Sequence, residues 1–382
     1  MIDANPVRAF LDDDHLALAA SLDTRCATTV AALAEPPDDG AARTQARHLV
    51  RVLGESGWYD PIAQLDLRGC CLARECLAGA SPLADAVFAL QALATVPIML
   101  AGDDAQRSSW VTSAHEGRLM GAFAMTELEA GSDVAALETR AERHGDHYVL
   151  NGAKAFISNA GIADFYAVFA STDPARGSKG ISCLVVPADA PGFEFVGPQV
   201  MSAPHPLGQI AFHDCRVPAG NLLGTEGEGF KLGLRTLDLL RTTVGAAACG
   251  MAGRALTEAL RYASSRHQFG SPLAEFQLVR DKLARMATEL TAARLLVYRA
   301  AWEKDRGAER VTVESAMAKA FATEAAQRIV DEAVQIHGGV GVMRDSVVDR
   351  LYRSVRALRI YEGTTEIQHL VIAGHLLRAH ES

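Results

Sequence analysis

Gly145-Asp146-His147-Tyr148-Val149-Leu150-Asn151-Gly152-Ala153-Lys154-Ala155-Phe156-Ile157-Ser158-Asn159 is the stretch whose reading decides the fold. Gly145-Asp146 favours the positive φ of a tight hairpin turn. His147 to Leu150 groups β-branched and aromatic residues as a strand does. Asn151 to Asn159 continues in extended form and puts Phe156 and Ser158, two positions apart, on one face. Similar short runs recur at Phe165–Ala170, Ile181–Val186 and Gln209–Phe212, separated by Gly, Pro, Asn and Asp. From about Gly121 to Leu223 the chain therefore reads as an antiparallel β unit.

On either side the apolar period lengthens to that of a helix. Ala41–Gly57, Leu65–Leu77 and Pro82–Leu100 are rich in Ala and Leu, with a loop at Pro36-Pro37-Asp38-Asp39-Gly40. Beyond Gly229, the residues Phe276, Val279, Leu283, Met286, Leu290, Ala293 and Val297 step by three or four along one face. Ser271 as a cap and Pro272 in the first turn predict where that helix starts, and Gly307 where it ends. Helices are also predicted over Phe230–Ser264, Val313–His337 and Ser346–Tyr361, which makes a four-helix bundle. The expected class is α+β: an N-terminal all-α domain (1–118), a central antiparallel β domain (119–223) and a C-terminal four-helix bundle (224–382).

Bulk properties narrow the function. Hydrophobic residues make up 49% and charged residues 22%, as in ordinary globular proteins, and the net charge of −9 without a basic cluster disfavours nucleic acid and anionic membrane. The start, Met1-Ile2-Asp3, lacks the pattern of a secretory signal, and Ala86–Gly102, interrupted by Gln91 and Pro97, reads as a buried helix rather than a membrane span. Seven cysteines show no Cys-x-x-Cys or Cys/His cluster, so reduced thiols in a cytoplasm are expected and no metal site is.

Five segments have a chemical as well as a bland reading. Met125-Thr126-Glu127-Leu128-Glu129-Ala130-Gly131-Ser132-Asp133 is either a capped turn or a loop whose hydroxyls and N–H groups grip a planar polar ligand. Asn151–Asn159 adds an aromatic ring and a hydroxyl, as many strand ends do. Arg266-His267-Gln268-Phe269-Gly270 and Gln335-Ile336-His337-Gly338-Gly339 are helix ends that also suit a pyrophosphate. Ile360-Tyr361-Glu362-Gly363-Thr364-Thr365-Glu366 holds a carboxylate between apolar neighbours and a glycine, where a solvated loop glutamate is the generic alternative.

In their order and spacing these segments, with Lys179-Gly180-Ile181-Ser182, Val217-Pro218, Asn221–Gly224, Gly227–Phe230 and Phe276-Gln277, closely resemble the acyl-CoA dehydrogenase family over nearly the whole chain. The resemblance implies FAD between the β domain and the bundle, reaching across a subunit boundary. It places Met125, Thr126, Phe156 and Ser158 around the isoalloxazine, and Ser132 near cofactor or substrate. Arg266, Phe269, Gln277, Gln335, Gly338 and Gly339 would receive the pyrophosphate and adenosine of a neighbouring subunit's FAD, with Thr364 and Glu366 as further cofactor contacts. A homodimer is then the smallest active unit and a homotetramer, a dimer of dimers, the usual assembly. The implied acceptor is an electron-transfer flavoprotein.

The same resemblance makes Glu362 the base that removes the α-proton of an acyl thioester while hydride passes from the β-carbon to flavin N5, giving a trans-2-enoyl thioester. Its main-chain N–H would polarise the thioester carbonyl, and Gly363 adjoins the substrate. Relatives that take their base from the helix containing Asp238-Leu239-Leu240-Arg241 are excluded as models, because Leu240 accepts no proton. Asp238 and Arg241 either support the substrate or form an ordinary ion pair. Leu128, Phe156 and Ser158 stand where the family usually has proline, tryptophan and threonine, and Met201–Gly208 departs from its common members. The alternatives are a dehydrogenase of carrier-protein-bound acyl groups, a flavin oxidase or monooxygenase, and a non-catalytic flavoprotein.

Overall fold

The computed structural model describes residues 3–381; Met1 and Ile2, on which the N-terminal reading partly rests, lie outside them. Helices come first: α1 (Asp13–Thr29), α2 (Asp39–Glu55), α3 (Asp60–Gln64), α4 (Leu67–Ala80) and α5 (Pro82–Ala101), then the single turns α6 (Asp104–Gln106) and α7 (Ser113–His115). Asp38 caps α2 by accepting from Ala41 N at 2.8 Å, and Asp66 caps α4 by accepting from Gly69 N at 3.0 Å, which satisfies N–H groups that have no partner inside the helix.

Seven strands follow: β1 (Gly121–Ala124), β2 (Arg140–His144), β3 (His147–Ser158), β4 (Phe165–Ser171), β5 (Ile181–Pro187), β6 (Phe193–Pro198) and β7 (Leu207–Pro218). They form one sheet in the order β1-β4-β2-β3-β7-β6, with β5 on β4. β2 and β3 form the hairpin expected at Gly145-Asp146. The pairing is antiparallel apart from β4, which runs parallel to β1 and, at one position, to β2. β4 and β5 are buried on both faces. Tyr166, Val168, Leu184 and Val186 pack with Ile210 and Phe212, while Phe165, Ala167, Phe169, Cys183 and Val185 pack with Ala94 and Ile98 of α5. The period of two thus divides one pair of strands between two cores.

The C-terminal helices are α8 (Gly229–Ser265), α9 (Gln277–Asp305), α10 (Thr312–His337), α11 (Val347–Leu358) and α12 (Thr365–Glu381), with a small hairpin of β8 (His267–Gln268) and β9 (Ser271–Pro272) after α8. Here the expected start of α9 is corrected. Ser271 and Pro272 lie in β9 and the helix begins at Gln277, because the residue before a proline is held extended and Pro272 itself has ψ 145°. Phe269 and Gly270, both at positive φ, make the turn between β8 and β9. Gly307 (φ 96°) follows the end of α9 and Gly338 (φ 59°) the end of α10, as expected.

The chain divides into two compact units, each discontinuous in sequence. One gathers the residues up to Leu33, Leu65–Asp85 and those from Asp238 on; the other gathers Ala34–Gln64 and Ala86–Leu237. In the first unit α10 is the central helix. Its alanines 316, 318, 322, 325, 326 and 333 are almost wholly buried, and α9, α11 and α12 pack on it. Gly250 of α8 meets α4 so closely that a Cβ there would lie 2.1 Å from Glu75 O, so only glycine fits. The Glu75 side chain accepts from Arg294 at 2.6 Å and Tyr298 at 2.8 Å, which satisfies the buried carboxylate. All seven cysteines are free and buried. α5 is long and apolar enough to cross a membrane, but 78% of its apolar window is buried inside the protein.

Candidate active site

Glu362 sits in the turn between α11 and α12, where α11 ends at Leu358 and Thr364 opens the next helix by accepting from Ile367 N at 3.3 Å. Two consecutive left-handed residues make the turn, Glu362 at φ 54° and Gly363 at φ 91°. Glycine adopts this conformation freely, whereas a glutamate there is strained, a state that persists only where its surroundings impose it. The carbonyls show how it is imposed. Glu362 O accepts from Arg241 Nε and Gln368 Nε2, each at 3.4 Å, and Gly363 O from Lys319 Nζ at 2.7 Å and Gln368 Nε2 at 2.9 Å.

The residue is half-buried, yet its Oε2 is closed off from solvent and takes no hydrogen bond among the described residues. Burial pushes the proton affinity of the Glu362 carboxyl upward, against the opposing pull of Arg74, Lys319 and Arg241. A carboxylate without a partner, held in a strained turn and made more basic by desolvation, is equipped to accept a proton.

The surrounding charges come from other helices of the same unit. Arg74 of α4 lies fully buried in a bidentate pair with Asp85 of α5 (2.8 and 2.9 Å) and donates its third group to Thr243 at 3.0 Å. Arg241 is 6% exposed and bound to Asp238 at 2.6 Å, while Thr312 donates to the same carboxylate at 3.0 Å. The Asp238/Arg241 pair is therefore partly buried, and its Arg241 supports the Glu362 turn. Leu240 is buried and offers no second base.

The second unit assembles the other group of expected residues. Lys154, with its side chain fully buried, donates to Met125 O at 3.1 Å and to Glu127 at 2.7 Å; Glu127 also accepts from Glu138 N, Thr139 N and the Thr139 hydroxyl. Burial alone would push the Glu127 carboxyl up, but Lys154 and these donors hold it below the usual range, while burial pulls Lys154 down to about 8. The loop carrying Met125 and Thr126 is thereby fixed to β3, where Ala155 N donates to Thr126 O at 3.0 Å. Ser132 is exposed on the outer part of this loop.

β3 is not a regular strand at its end. Its register with β7 shifts between Lys154 and Ile157, and Phe156 stands at φ 57° with its N–H donated to Gln199 Oε1 at 2.6 Å. A bulge of this kind re-aims a side chain. Phe156 is 54% exposed between the buried Ala155 and Ile157. Ser158 Oγ lies 2.7 Å from His205 Nε2, and burial pulls that imidazole down to about 4, so it is neutral near pH 7. An outward aromatic face beside a hydroxyl and a fixed Thr126 loop fits a planar, hydrogen-bonding ring system such as isoalloxazine.

The remaining expected residues gather at one end of the helical unit. Tyr262 of α8 stacks on His337 with ring centroids 4.4 Å apart, which joins the end of α8 to Gln335, Gly338 and Gly339. Arg266 accepts from Leu273 N across the β8–β9 hairpin, Phe269 at its tip is 97% exposed, and Gln277 opens α9. Nothing lies within 4 Å of a Cβ built on Gly270, Gly338 or Gly339. This open, glycine-lined surface fits a ligand's polar tail. Thr364 and Glu366 are at the start of α12, and Glu366 is exposed.

Sequence reasoning missed Lys319, Arg74, Asp85, the Lys154–Glu127 tie and His205. A signal existed for two of them. Lys319 in Ala316-Met317-Ala318-Lys319-Ala320-Phe321-Ala322 and Asp85 in Leu83-Ala84-Asp85-Ala86-Val87-Phe88 are single charges inside apolar helical runs, which burial tolerates only with a partner.

Comparison with known proteins gives the same reading. Residues 122–215 match the acyl-CoA dehydrogenase middle domain and residues 227–377 the acyl-CoA dehydrogenase C-terminal domain. The chain is 45% identical to the mitochondrial short-chain specific acyl-CoA dehydrogenase of Rattus norvegicus, over 75% of this chain and 70% of that protein. Its structure is similar to butyryl-CoA dehydrogenase from Megasphaera elsdenii (TM-score 0.86, 36% identity, 96% and 99% of the two chains). It is also similar to a glutaryl-CoA dehydrogenase from Mycobacterium smegmatis in complex with FADH2 (TM-score 0.87, 27% identity, 97% and 96%). With two family domains matched over most of its length and a relative of this identity, the chain belongs to the acyl-CoA dehydrogenase family of oxidoreductases.

Proposed function

We propose that the protein oxidises the Cα–Cβ bond of an acyl-CoA thioester, with the Glu362 carboxylate removing the α-proton. The observation that carries this reading is the Glu362 Oε2, closed to solvent, unpartnered, and held in a strained turn by Arg241, Lys319 and Gln368. The cofactor is FAD, which when bound takes up hydride from the β-carbon. Met125, Thr126, Phe156 and Ser158 would hold its ring, Arg266, Phe269, Gln277, Gln335, Gly338 and Gly339 would receive the pyrophosphate and adenosine of a neighbouring subunit's FAD, and Thr364 and Glu366 would be further cofactor contacts. The Glu362 N–H polarises the thioester carbonyl, which acidifies the α-carbon. Desolvation by the acyl group leaves the carboxylate a stronger base at the moment of transfer.

Ser132 and Gly363 contact the substrate, and an electron-transfer flavoprotein removes the electrons. The active assembly is a homotetramer built from dimers. A soluble cytoplasmic enzyme belongs to this reading, and its support is that 78% of the apolar window of α5 is buried inside the protein, as in a core helix. The relatives favour a short acyl group as the first to try.

The test is anaerobic addition of butyryl-CoA, longer acyl-CoAs and acyl-carrier thioesters to the yellow holoprotein, with bleaching of the flavin band as readout. The parent bleaches with at least one acyl-CoA. Glu362→Gln retains FAD and does not bleach, since an amide accepts no proton; turnover in that variant moves the base elsewhere.

A further inference from the structure

We propose that Lys319 is a positioning residue for the reaction: it clamps the Glu362–Gly363 turn through Gly363 O and supplies the cationic charge that balances the Glu362 carboxylate. The inference rests on Glu362 being the base and extends that reading to a residue that touches neither substrate nor cofactor in the argument above.

The observations are geometric. Lys319 lies in the second turn of α10, with no measurable exposure, among buried alanines. A buried lysine is costly unless its charge has a partner, and its ammonium group donates to Gly363 O at 2.7 Å. That carbonyl belongs to the left-handed glycine immediately after the base, so the bond fixes the strained turn directly.

The charges facing this spot from each packed element can be assigned in turn. On α4 and α5, Arg74 is neutralised by Asp85. On α8, Arg241 is neutralised by Asp238, which Thr312 of α10 also engages. On α10 itself Glu324 accepts from Arg359 of the turn after α11 at 2.7 Å and from Thr365 at 2.8 Å. Glu366 of α12 is exposed, and Tyr361 is pushed upward by burial and is neutral near pH 7. Two of the three cations beside Glu362 thus have carboxylate partners of their own, whereas the third, Lys319, is bonded to no carboxylate among the described residues, and its charge is felt by Glu362. Burial pulls Lys319 down to about 8, and Glu362 opposes that pull, which is the behaviour of a pair sharing one desolvated site.

Two consequences separate this role from simple packing. Removing the charge leaves Glu362 more easily protonated, so the acid limb of the pH–rate profile moves to higher pH. Removing the clamp lets the turn relax, so the chemical step slows while thioester binding is little changed.

The experiment compares the FAD-loaded parent with Lys319→Met and Lys319→Gln, using butyryl-CoA or the best thioester from the screen. FAD content and thermal midpoint are checked first. Flavin reduction is then followed by anaerobic stopped flow between about pH 5.5 and pH 9. In Lys319→Met the maximal reduction rate falls by about tenfold or more, half-saturation changes less than about threefold, and the acid limb moves upward. Lys319→Gln can still donate to Gly363 O without a charge, so it recovers rate at high pH and keeps the displaced limb. Acid limbs that coincide with the parent's in both variants overturn the proposal, as does a loss confined to half-saturation. Failure of both variants to fold makes Lys319 a purely structural residue and overturns it too. Glu362→Gln is run in parallel: if it still reduces flavin, the assignment of the base fails. If it is inactive while the Lys319 variants keep the parent's profile, only the present inference fails.

Discussion

Lys154→Met is the perturbation whose size follows most directly from the structure. The Lys154 side chain is 0% exposed, its partner Glu127 is 9% exposed, and the two are 2.7 Å apart. Removing one member of a buried pair costs about 3–5 kcal/mol, because the other charge is left without compensation. Glu127 keeps three other donors, Glu138 N at 2.6 Å, Thr139 N at 3.0 Å and Thr139 Oγ1 at 2.5 Å, which puts the loss at the lower end, about 3 kcal/mol. Each kcal/mol lowers the midpoint of a unit of this size by about 2–4 °C, so differential scanning fluorimetry near neutral pH should show a drop of roughly 6–12 °C.

The same variant frees Met125 O and loosens the Thr126 loop, so it should release FAD more readily, seen as recovered flavin fluorescence at lower temperature. The double variant Glu127→Gln with Lys154→Met removes the uncompensated charge and should regain part of the loss. A drop below about 2 °C for Lys154→Met, or a double variant as unstable as the sum of the two single ones, refutes the reasoning. The acid response has a definite sign. Glu127 is held below its ordinary value, so its contribution is present above the unfolded carboxyl range and is lost as pH falls through the lower, folded value.

Three further outcomes can be checked with the same preparations. Glu362→Gln should melt no lower than the parent near pH 7: burial raises the proton affinity of this carboxyl, so its contribution to stability is present at low pH and lost as pH rises through the folded value. Gly363→Ala should cost roughly 1–3 kcal/mol in thermal or denaturant unfolding and slow flavin reduction, since φ is 91° and a Cβ would lie 2.6 Å from Gln368 Nε2; an unchanged protein would show that the turn is not held as described. His205→Ala should weaken FAD retention by about fivefold to tenfold, the equivalent of one lost hydrogen bond to Ser158, measured by flavin fluorescence on dilution. Because His205 is neutral near pH 7, that effect should be flat from about pH 6 to pH 8.

Much of the fold was legible in the chain because the signals are local and repeated. The change from a period of 3.6 to one of two and back located the helical and β regions, and Gly145-Asp146, Gly307 and Gly338 marked a turn and two helix ends through their backbone freedom. The start of α9 was misplaced because Ser271-Pro272 satisfies the rules for a helix start equally well. What decided against it was the pairing of β9 with β8, a contact between segments. The regular alternation expected to put Phe156 and Ser158 on one face is interrupted by a bulge that depends on β7 and on Gln199, neither of which the local sequence announces.

By itself the sequence determined the family pattern, the order of helical and β segments, and the identity of Glu362 as the carboxylate to examine, because these depend on residue type and spacing along one chain. Only the tertiary structure decided that Glu362 occupies a strained turn clamped through its carbonyls, and that Arg74 and Arg241 are already neutralised while Lys319 is bonded to the carbonyl of the residue after the base. It alone showed that Lys154 ties down the Thr126 loop. Lys319 and Gly363 are 44 positions apart in the chain and Lys154 and Glu127 are 27 apart. The worth of a charge depends on burial and on which counter-charge folding brings beside it, and neither is a property of the residue alone.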